Sequence, residues 1–555
     1  MAHWIRDHPR NRRAHLASLT LLVAGLIAVL TLAPEPISTQ FVETSDTLLA
    51  FAYVMPDDGW APLTVYLSPF GSRDLEGRIV RYEWDLDGDG SFETDATATS
   101  GYTQTFYTRP RTYTPSLRVT NDKGEQATAS TMVSVRHPAA SSVDYESIFD
   151  DTQVGQITMT FKQADWERMM ADPTLKIRVE ADAVIFGERI ERLEIGPRGN
   201  FTLRIGGKKI PWQLDMDNLV HGQEFHNLKQ LLLTNNIGDP AIIGEKIAYD
   251  LLALAGSPAS HIAFVEVYVD MIDDGEEPQY WGVYTLVERV DSKYIRNRYE
   301  TEADGGVLYK TNHFKQGAGD LVYYGPTFDY YPQPNQVPIY DLRTDELPND
   351  YADLISFLWV LDGQQYASPD TWAAAVENVF DMDGYLRWQA VQTAIMSWDI
   401  YPYTGNNYYL YHDLAADWWL WLPWDQTWGD QTTAPLFSIS TEFPRLLERA
   451  PLFDQMLQVP RFRQALAAYL DLLVRIAFNE EAISERVSQY RDLITPSILK
   501  GDPAYTIEGG IHSAEMFASA CQQLIELTRD RSQFIREFLS ENPEIYMWTP
   551  EIKQP

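Results

Sequence analysis

Only one cysteine, Cys521, stands among 555 residues. No intramolecular disulfide and no cysteine-based metal cluster can form, so Cys521 reads as a small residue of a C-terminal helical region. Histidine is sparse. The ten present form no His-Glu-x-x-His and no tight group, which argues against a zinc hydrolase. A Gly-x-Ser-x-Gly elbow and a Gly-x-x-x-x-Gly-Lys-Ser/Thr loop are both missing. Positive charge is in deficit: 44 Lys and Arg face 79 Asp and Glu, a formal net charge of −35. Such a surface repels phosphate backbones and argues against nucleic acid as a partner. A bound nucleotide would need a metal ion or a local cluster of Lys and Arg. Carboxylates are plentiful, so a paired-acid glycosidase stays open on composition alone.

What is present begins with apolar bulk. Hydrophobic residues make up 45% and aromatic residues 13% of the chain, enough for large cores, and the length suits two or three domains. The N-terminus carries Arg6, Arg10, Arg12 and Arg13, then an uncharged run from Leu16 to Ala33. As a helix, eighteen residues reach about 27 Å, close to the roughly 30 Å of a bilayer core. The basic flank would stay in the cytoplasm, so the body is expected to be exported, behind an uncleaved transmembrane anchor. A cleaved signal peptide is the alternative; Pro34 beside the cut after Ala33 disfavours it.

Residues 1–40 are therefore assigned to a basic tip, an anchor and a Pro-rich linker. From 44 to 137 the pattern is all-β: "LTVYLSPFGS", "RIVRYEWDLDGDG", "TYTPSLRVTNDKG" and "TASTMVSVR" are short strand-like runs between Gly, Asp and Asn turns. "DLEGRIVRYEWDLDGDG" with "TYTPSLRVTNDKG" resembles a PKD-type (polycystic kidney disease) immunoglobulin-like β-sandwich. The resemblance implies an extracellular spacer or adhesion module. Asp85, Asp87 and Asp89 invite a weak Ca²⁺ site, but Ala96 stands where an EF-hand loop needs Glu, and an Asp/Gly turn is the simpler reading.

After the linker "HPAASS" the chain turns to mixed α and β, an α+β region placed at 146–545. "DPAIIGEKIAYDLLALAG" predicts a helix with Asp239 as N-cap, Pro240 as first helical residue and Gly256 as its stop. Residues 350–395 read as amphipathic helix, and the chain after Pro444 as mostly helical.

Polar residues in this region follow an order: Lys208 or Lys209 on a strand, Glu245 on a helix, then Asp399, Asn406-Asn407, and Asp425 with Gly429 close behind. Phosphotransferases of the protein-kinase type use these groups in this order. Lys neutralises phosphate, Glu holds Lys, one Asp orients the acceptor hydroxyl, and Asn with a second Asp hold Mg²⁺. "KKIPWQLDMD", "LKQLLLTNNIGDPAIIGEKIAYDLL", "YWGVYTLVERVDSKYI", "GGVLYK", "WDIYPYTGNNYYLYHD" and "WLWLPWDQTWGD" together resemble the CotH family of spore-coat-type, atypical protein kinases. The resemblance implies a protein-kinase-like two-lobed domain that uses ATP and Mg²⁺ (or Mn²⁺) on Ser or Thr of surface or coat proteins. It makes Asp399 the catalytic Asp, Asp425 and Asn407 (with Asn406 as substitute) the metal ligands, and Glu288 an acidic position near the nucleotide. Arg198 becomes the turn before the phosphate-side Lys, taken as Lys209 with Lys208 as substitute. One departure stands out: Gln426-Thr427 occupy the place where a second acid is often found after the metal-binding Asp. Competing expectations are a non-catalytic scaffold or adhesion protein of the envelope and, more weakly, a glycan-active protein.

Overall fold

The computed structural model describes residues 41–43, 47–137, 147–200, 202–203, 209–272, 274–299, 306–312, 319–333, 337–344, 351–438, 447–500 and 514–550. The expected membrane segment and Lys208 lie outside them. Among the described residues no helix is long and apolar enough to cross a membrane.

The N-terminal part is the expected β-sandwich. Ile79–Asp85 and Ser116–Asn121 pair antiparallel at the middle of a five-stranded sheet that also holds Phe41–Glu43, Gln126–Ser130 and Thr94–Asp95. Strand alternation sends Leu117 and Val119 inward and Arg118 outward. Trp84, fully buried, donates its indole N–H to the Gly101 carbonyl at 2.7 Å, which satisfies the one polar atom that the core would penalise. The Asp85, Asp87 and Asp89 oxygens do lie within 4.8 Å of one another. Asp85 already accepts the Gly88 and Gly90 N–H groups at 2.8 Å, as a turn-forming Asp does.

The stretch 48–55 has no polar face. Leu48, Ala50, Ala52 and Val54 pack into the sandwich core, while Leu49, Phe51, Tyr53 and Met55 pack into the core of the following domain. All eight are at most 3% exposed. The sandwich is thus built into the molecule rather than hung from it. Polar clasps add to this: Asp57 pairs with Arg387 at 2.7 Å, Tyr102 donates to Asp471 at 2.7 Å, and Arg136 donates to the Arg298 carbonyl at 2.8 Å.

Next comes a closed seven-stranded barrel of Gly155–Phe161, Val179–Ile185, Glu188–Pro197, Trp212–Asp215, Gln230–Thr234, Gln279–Val287 and Ile262–Met271 in spatial order. Parallel pairing of Gly155–Phe161 with Ile262–Met271 closes it. Closure leaves no edge strand. Ala263, Val265, Val267 and Val269 fill the interior, and Ile262 and Phe264, on the other face, join neighbouring cores.

The helix Gly244–Leu254 follows Gln230–Thr234. It starts later than the sequence suggests. Asp239 accepts the N–H groups of Ala241 and Gly244, and the left-handed Ile242 (φ +62°) bends the chain first. Pro240 therefore sits in the approach loop, and Asp239 ties that loop rather than capping the first turn directly. Gly256, at φ +78°, ends the helix as expected.

The rest is a four-stranded sheet, Tyr340–Leu342, Gly306–Thr311, Tyr408–Asp413 and Trp418–Pro423, backed by helices including Met382–Ala394, Pro460–Ile476, Glu480–Ile498 and Ala514–Glu541. The aromatic run is core. Tyr408 stacks on Trp421 at 4.0 Å, and Phe357 and the His412 ring lie against Trp419 at 4.4 and 4.3 Å. Met382–Ala394 departs from the amphipathic expectation: nearly every residue is buried, Arg387, Gln389 and Gln392 included. Cys521 is buried in the same core.

Candidate active site

Two loops and one helix start meet at the end of this sheet. The first loop leaves Met382–Ala394 through the left-handed Met396 (φ +58°) and carries Asp399. The second leaves Trp418–Pro423 and carries Asp425, itself at φ +50°. Gly429 fixes their separation. Its N–H donates to the Ile395 carbonyl at 3.0 Å, and a Cβ there would stand 2.2 Å from the Met396 carbonyl oxygen. Only glycine allows so close an approach.

Asn407 joins the loops. It is 5% exposed, adopts φ +62°, and donates Nδ2–H to the Asp399 carbonyl at 2.8 Å and, more loosely, to the Asp399 carboxylate at 3.4 Å. Its own carbonyl accepts the Trp424 N–H at 3.2 Å. That orientation leaves Oδ1 as the side chain's other polar atom, the one suited to a cation. Asn406 is its half-buried neighbour.

Asp425 is exposed, yet protein crowds it from most sides, as on a cleft floor. Its backbone N–H donates to the Tyr249 hydroxyl at 3.1 Å. Its acidity is weakened by partial desolvation and then by the Asp399 charge, against the pull of Arg198 and Lys310. Glu245, in the first turn of Gly244–Leu254, is also pushed up, by desolvation and then by Asp425, and accepts from Thr234 at 3.4 Å. Desolvation opposes the charge of Arg198, which Asp425 and Glu245 favour. The site therefore holds three carboxylates that repel in sequence, with Arg198 and Lys310 as flanking cations. Trp424 is the platform between them: the Arg198 guanidinium lies 6.0 Å and the Lys310 ammonium 5.1 Å from its ring.

Sequence order brings Asp399, Asn407, Asp425, Glu245 and Arg198 together. Lys209 stands apart. Its ammonium donates to the Val283 carbonyl at 2.6 Å, lies 4.9 Å from the Tyr284 ring, and burial lowers its pKa to about 8. The cation facing Glu245 is Arg198 instead, because the strand Glu188–Pro197 ends on that side. Glu288 is likewise occupied elsewhere. It forms a buried two-point ion pair with Arg298 at 2.6 and 2.8 Å and accepts the His261 N–H. Burial raises its pKa, but Arg298 and His261 together, through charge and hydrogen bonds, more than offset this. The same surroundings push His261 down to about 4.

Two residues, Lys310 and Tyr249, escaped sequence reading, and a third, Gln426, was read as a missing acid. Lys310 closes the "GGVLYK" segment, and its place on the strand beside Tyr408–Asp413 was the missing datum. Tyr249 is one helical turn past Glu245. Gln426 does not face the cleft at all: its Nε2–H donates to the Trp424 carbonyl at 2.7 Å and its Oε1 accepts from Gln392. Among the described residues the three-acid group close enough to share one ion is Asp85, Asp87 and Asp89, not the acids of this cleft.

Residues 52–135 match the family described as PKD domain, and 195–535 the family described as CotH kinase protein. A curated relative, Invasin CotH3 of Rhizopus delemar, is 21% identical over 296 residues, which are 52% of this chain and 46% of the relative. The chain thus spans about half that relative's length. Two solved structures are similar to the sandwich in sequence. The PKD1 domain of Vibrio anguillarum Epp is 29% identical and covers 17% of this chain and 100% of its own (TM-score 0.14). The PKD1 domain of the Vibrio cholerae metalloprotease PrtV is 28% identical and covers 16% and 94% (TM-score 0.13). With more than half of its residues inside the longer match, the chain belongs to the CotH kinase protein family, and a PKD domain precedes that region.

Proposed function

We propose that this protein is an exported phosphotransferase that moves the γ-phosphoryl group of ATP to Ser or Thr hydroxyls of surface proteins. The observation that carries the reading is the convergence of Asp399, Asn407 and Asp425 on one cleft flanked by Arg198 and Lys310. The mutual repulsion along Asp399, Asp425 and Glu245 is what a divalent cation would relieve, so the donor set fits Mg²⁺ or Mn²⁺. Asp425 and the Asn407 amide oxygen would hold the ion, and Arg198 and Lys310 would neutralise phosphate oxygens. A bound metal supplies charge stabilisation for the transferring group. Asp399, tied through Asn407, orients the acceptor hydroxyl and takes its proton. Glu245, whose charge favours that of Arg198, would steady it, the task that a Lys–Glu pair performs in kinases. The PKD domain and the basic N-terminal segment support a place at the cell surface.

The test is incubation of the purified full chain with labelled ATP, Mg²⁺ or Mn²⁺ and a Ser-rich acceptor. Transfer is expected, and Asp399→Asn should lower its rate by at least about a hundredfold while leaving Tm within a few degrees. Equal labelling by that variant overturns the assignment. A second reading, adhesion or scaffolding without catalysis, draws on the relative named an invasin and on the built-in sandwich. Calorimetry that finds no ATP·Mg²⁺ binding would favour it.

A further inference from the structure

Behind the Asp399 turn, on the side away from the cleft, lies a small cavity between the helices Met382–Ala394 and Ala514–Glu541. Gln389, Gln392, Ser397 and Arg531 line it, each at most 5% exposed. Each presents one polar atom with no hydrogen-bond partner among the described residues: Gln389 Oε1, Gln392 Oε1, Ser397 Oγ and Arg531 Nε. Buried polar atoms left bare are costly, and four around one cavity call for a common partner.

The orientations of the Gln426 and Gln392 amides are fixed by a chain of donors. Gln426 must donate Nε2–H to the Trp424 carbonyl, so its Oε1 accepts; Gln392 must then offer Nε2–H to it and turn its own Oε1 to the cavity. With the Thr393 hydroxyl accepting, Gln389 donates to it at 3.2 Å and turns its Oε1 the same way. The other Arg531 nitrogens are satisfied by the carbonyls of Thr393, Thr432 and Ala434. The cavity therefore presents two acceptors, the amide oxygens, and two donors, the guanidinium N–H and the hydroxyl. Water accepts two hydrogen bonds and donates two, so it satisfies all four. A chloride ion would face two carbonyl oxygens. The volume, about 20 Å³, exceeds the roughly 10–15 Å³ one water requires and is far below that of a phosphate.

We propose that a buried water held by Ser397, Gln392, Gln389 and Arg531 completes a polar network that runs through Gln426 to the Asp425 loop and sets the spacing of the two aspartate loops. Ser397 precedes Asp399 by two positions and Gln426 follows Asp425 directly, so one network grips both loops from behind. Gln426 is then a positioning residue and not a degraded metal ligand. The functional consequence rests on the phosphotransfer reading above; the network itself does not.

A high-resolution crystal structure of the full chain, with a bromide soak in parallel, tests the site. Expected is one water within hydrogen-bond distance of Arg531 Nε, Ser397 Oγ and Gln392 Oε1, with no anomalous bromide peak. A dry cavity, or bromide in it, overturns the proposal. Gln426→Asp supplies the second test, read by Tm and by Mn²⁺ titration. The network predicts a Tm lower by about 5–10 °C and no gain in Mn²⁺ affinity, since the acid cannot donate to Trp424 and is buried away from the cleft. Unchanged Tm with a tenfold gain in Mn²⁺ affinity overturns it. Failure of the unaltered chain to bind Mn²⁺ would count against phosphotransfer, while the density and the Tm would still decide the network.

Discussion

At the scale of single residues, the cleft is a set of charges held against their preference. Glu245 shows the cost. Its folded pKa is raised from 4.5 to about 8, so the folded state binds the proton more tightly than the unfolded chain does. Stability from this group is fully present below its ordinary pKa and is lost as pH rises through about 8. Removing the charge should remove that loss. Glu245→Gln is expected to raise Tm by roughly 2–4 °C at pH 8.5 and to have little effect at pH 4, read by thermal melts across pH. A uniform shift at both pH values would contradict this. The acids and Asn407 were legible in sequence because their types and order carry the chemistry. The cation was not. Lys209 and Arg198 stand close in sequence, and what separates them is that Val283, 74 positions away from Lys209, offers it a carbonyl. Gln426 was misjudged for the same reason: an amide beside Asp425 reads as a lost acid until its partner Gln392, on a distant helix, is seen.

At the scale of elements, alternation was readable wherever one face meets water. The sandwich strand Ser116–Asn121 and the barrel strand Val179–Ile185 follow it. The stretch 48–55 gives no alternation to read, because both faces are buried and every residue is apolar or aromatic. The helix Met382–Ala394 conceals itself in the opposite manner: its polar residues are buried in partnerships that no periodicity announces, such as Arg387 with Asp57. If 48–55 joins the two cores, trimming either face should harm both. Phe51→Ala is expected to destabilise by about 3–5 kcal/mol, and the sandwich and the region that follows it should melt in one transition. Calorimetry that resolves an unaffected second transition would refute the shared core.

At the scale of the molecule, the sandwich is a structural member and not a tether. The buried Asp57–Arg387 pair is its deepest anchor, and burial lifts Asp57 to about 7 despite the guanidinium. Arg387→Ala leaves Asp57 and Asp383 facing each other without a cation and should cost about 3–5 kcal/mol, seen as a lower denaturation midpoint. A loss below 1 kcal/mol would mean that water reaches the pair. Domain order was visible in sequence because the composition changes at each linker. That the domains share one interior was not, since contacts between residues some 400 positions apart leave no local mark.

The double burial of 48–55 also bears on how the chain is made. Synthesis runs from the N-terminus, so the sandwich can close long before the helix Pro460–Ile476 that covers its outer face exists. Until then Leu49, Phe51, Tyr53 and Met55 form a row of bare apolar side chains on an otherwise finished domain. A nascent chain emerging on the far side of a membrane would carry that sticky row for the time needed to make some 400 residues. A chain halted before Pro460–Ile476 is made should therefore aggregate more readily than the finished molecule, whose surface no longer displays that edge.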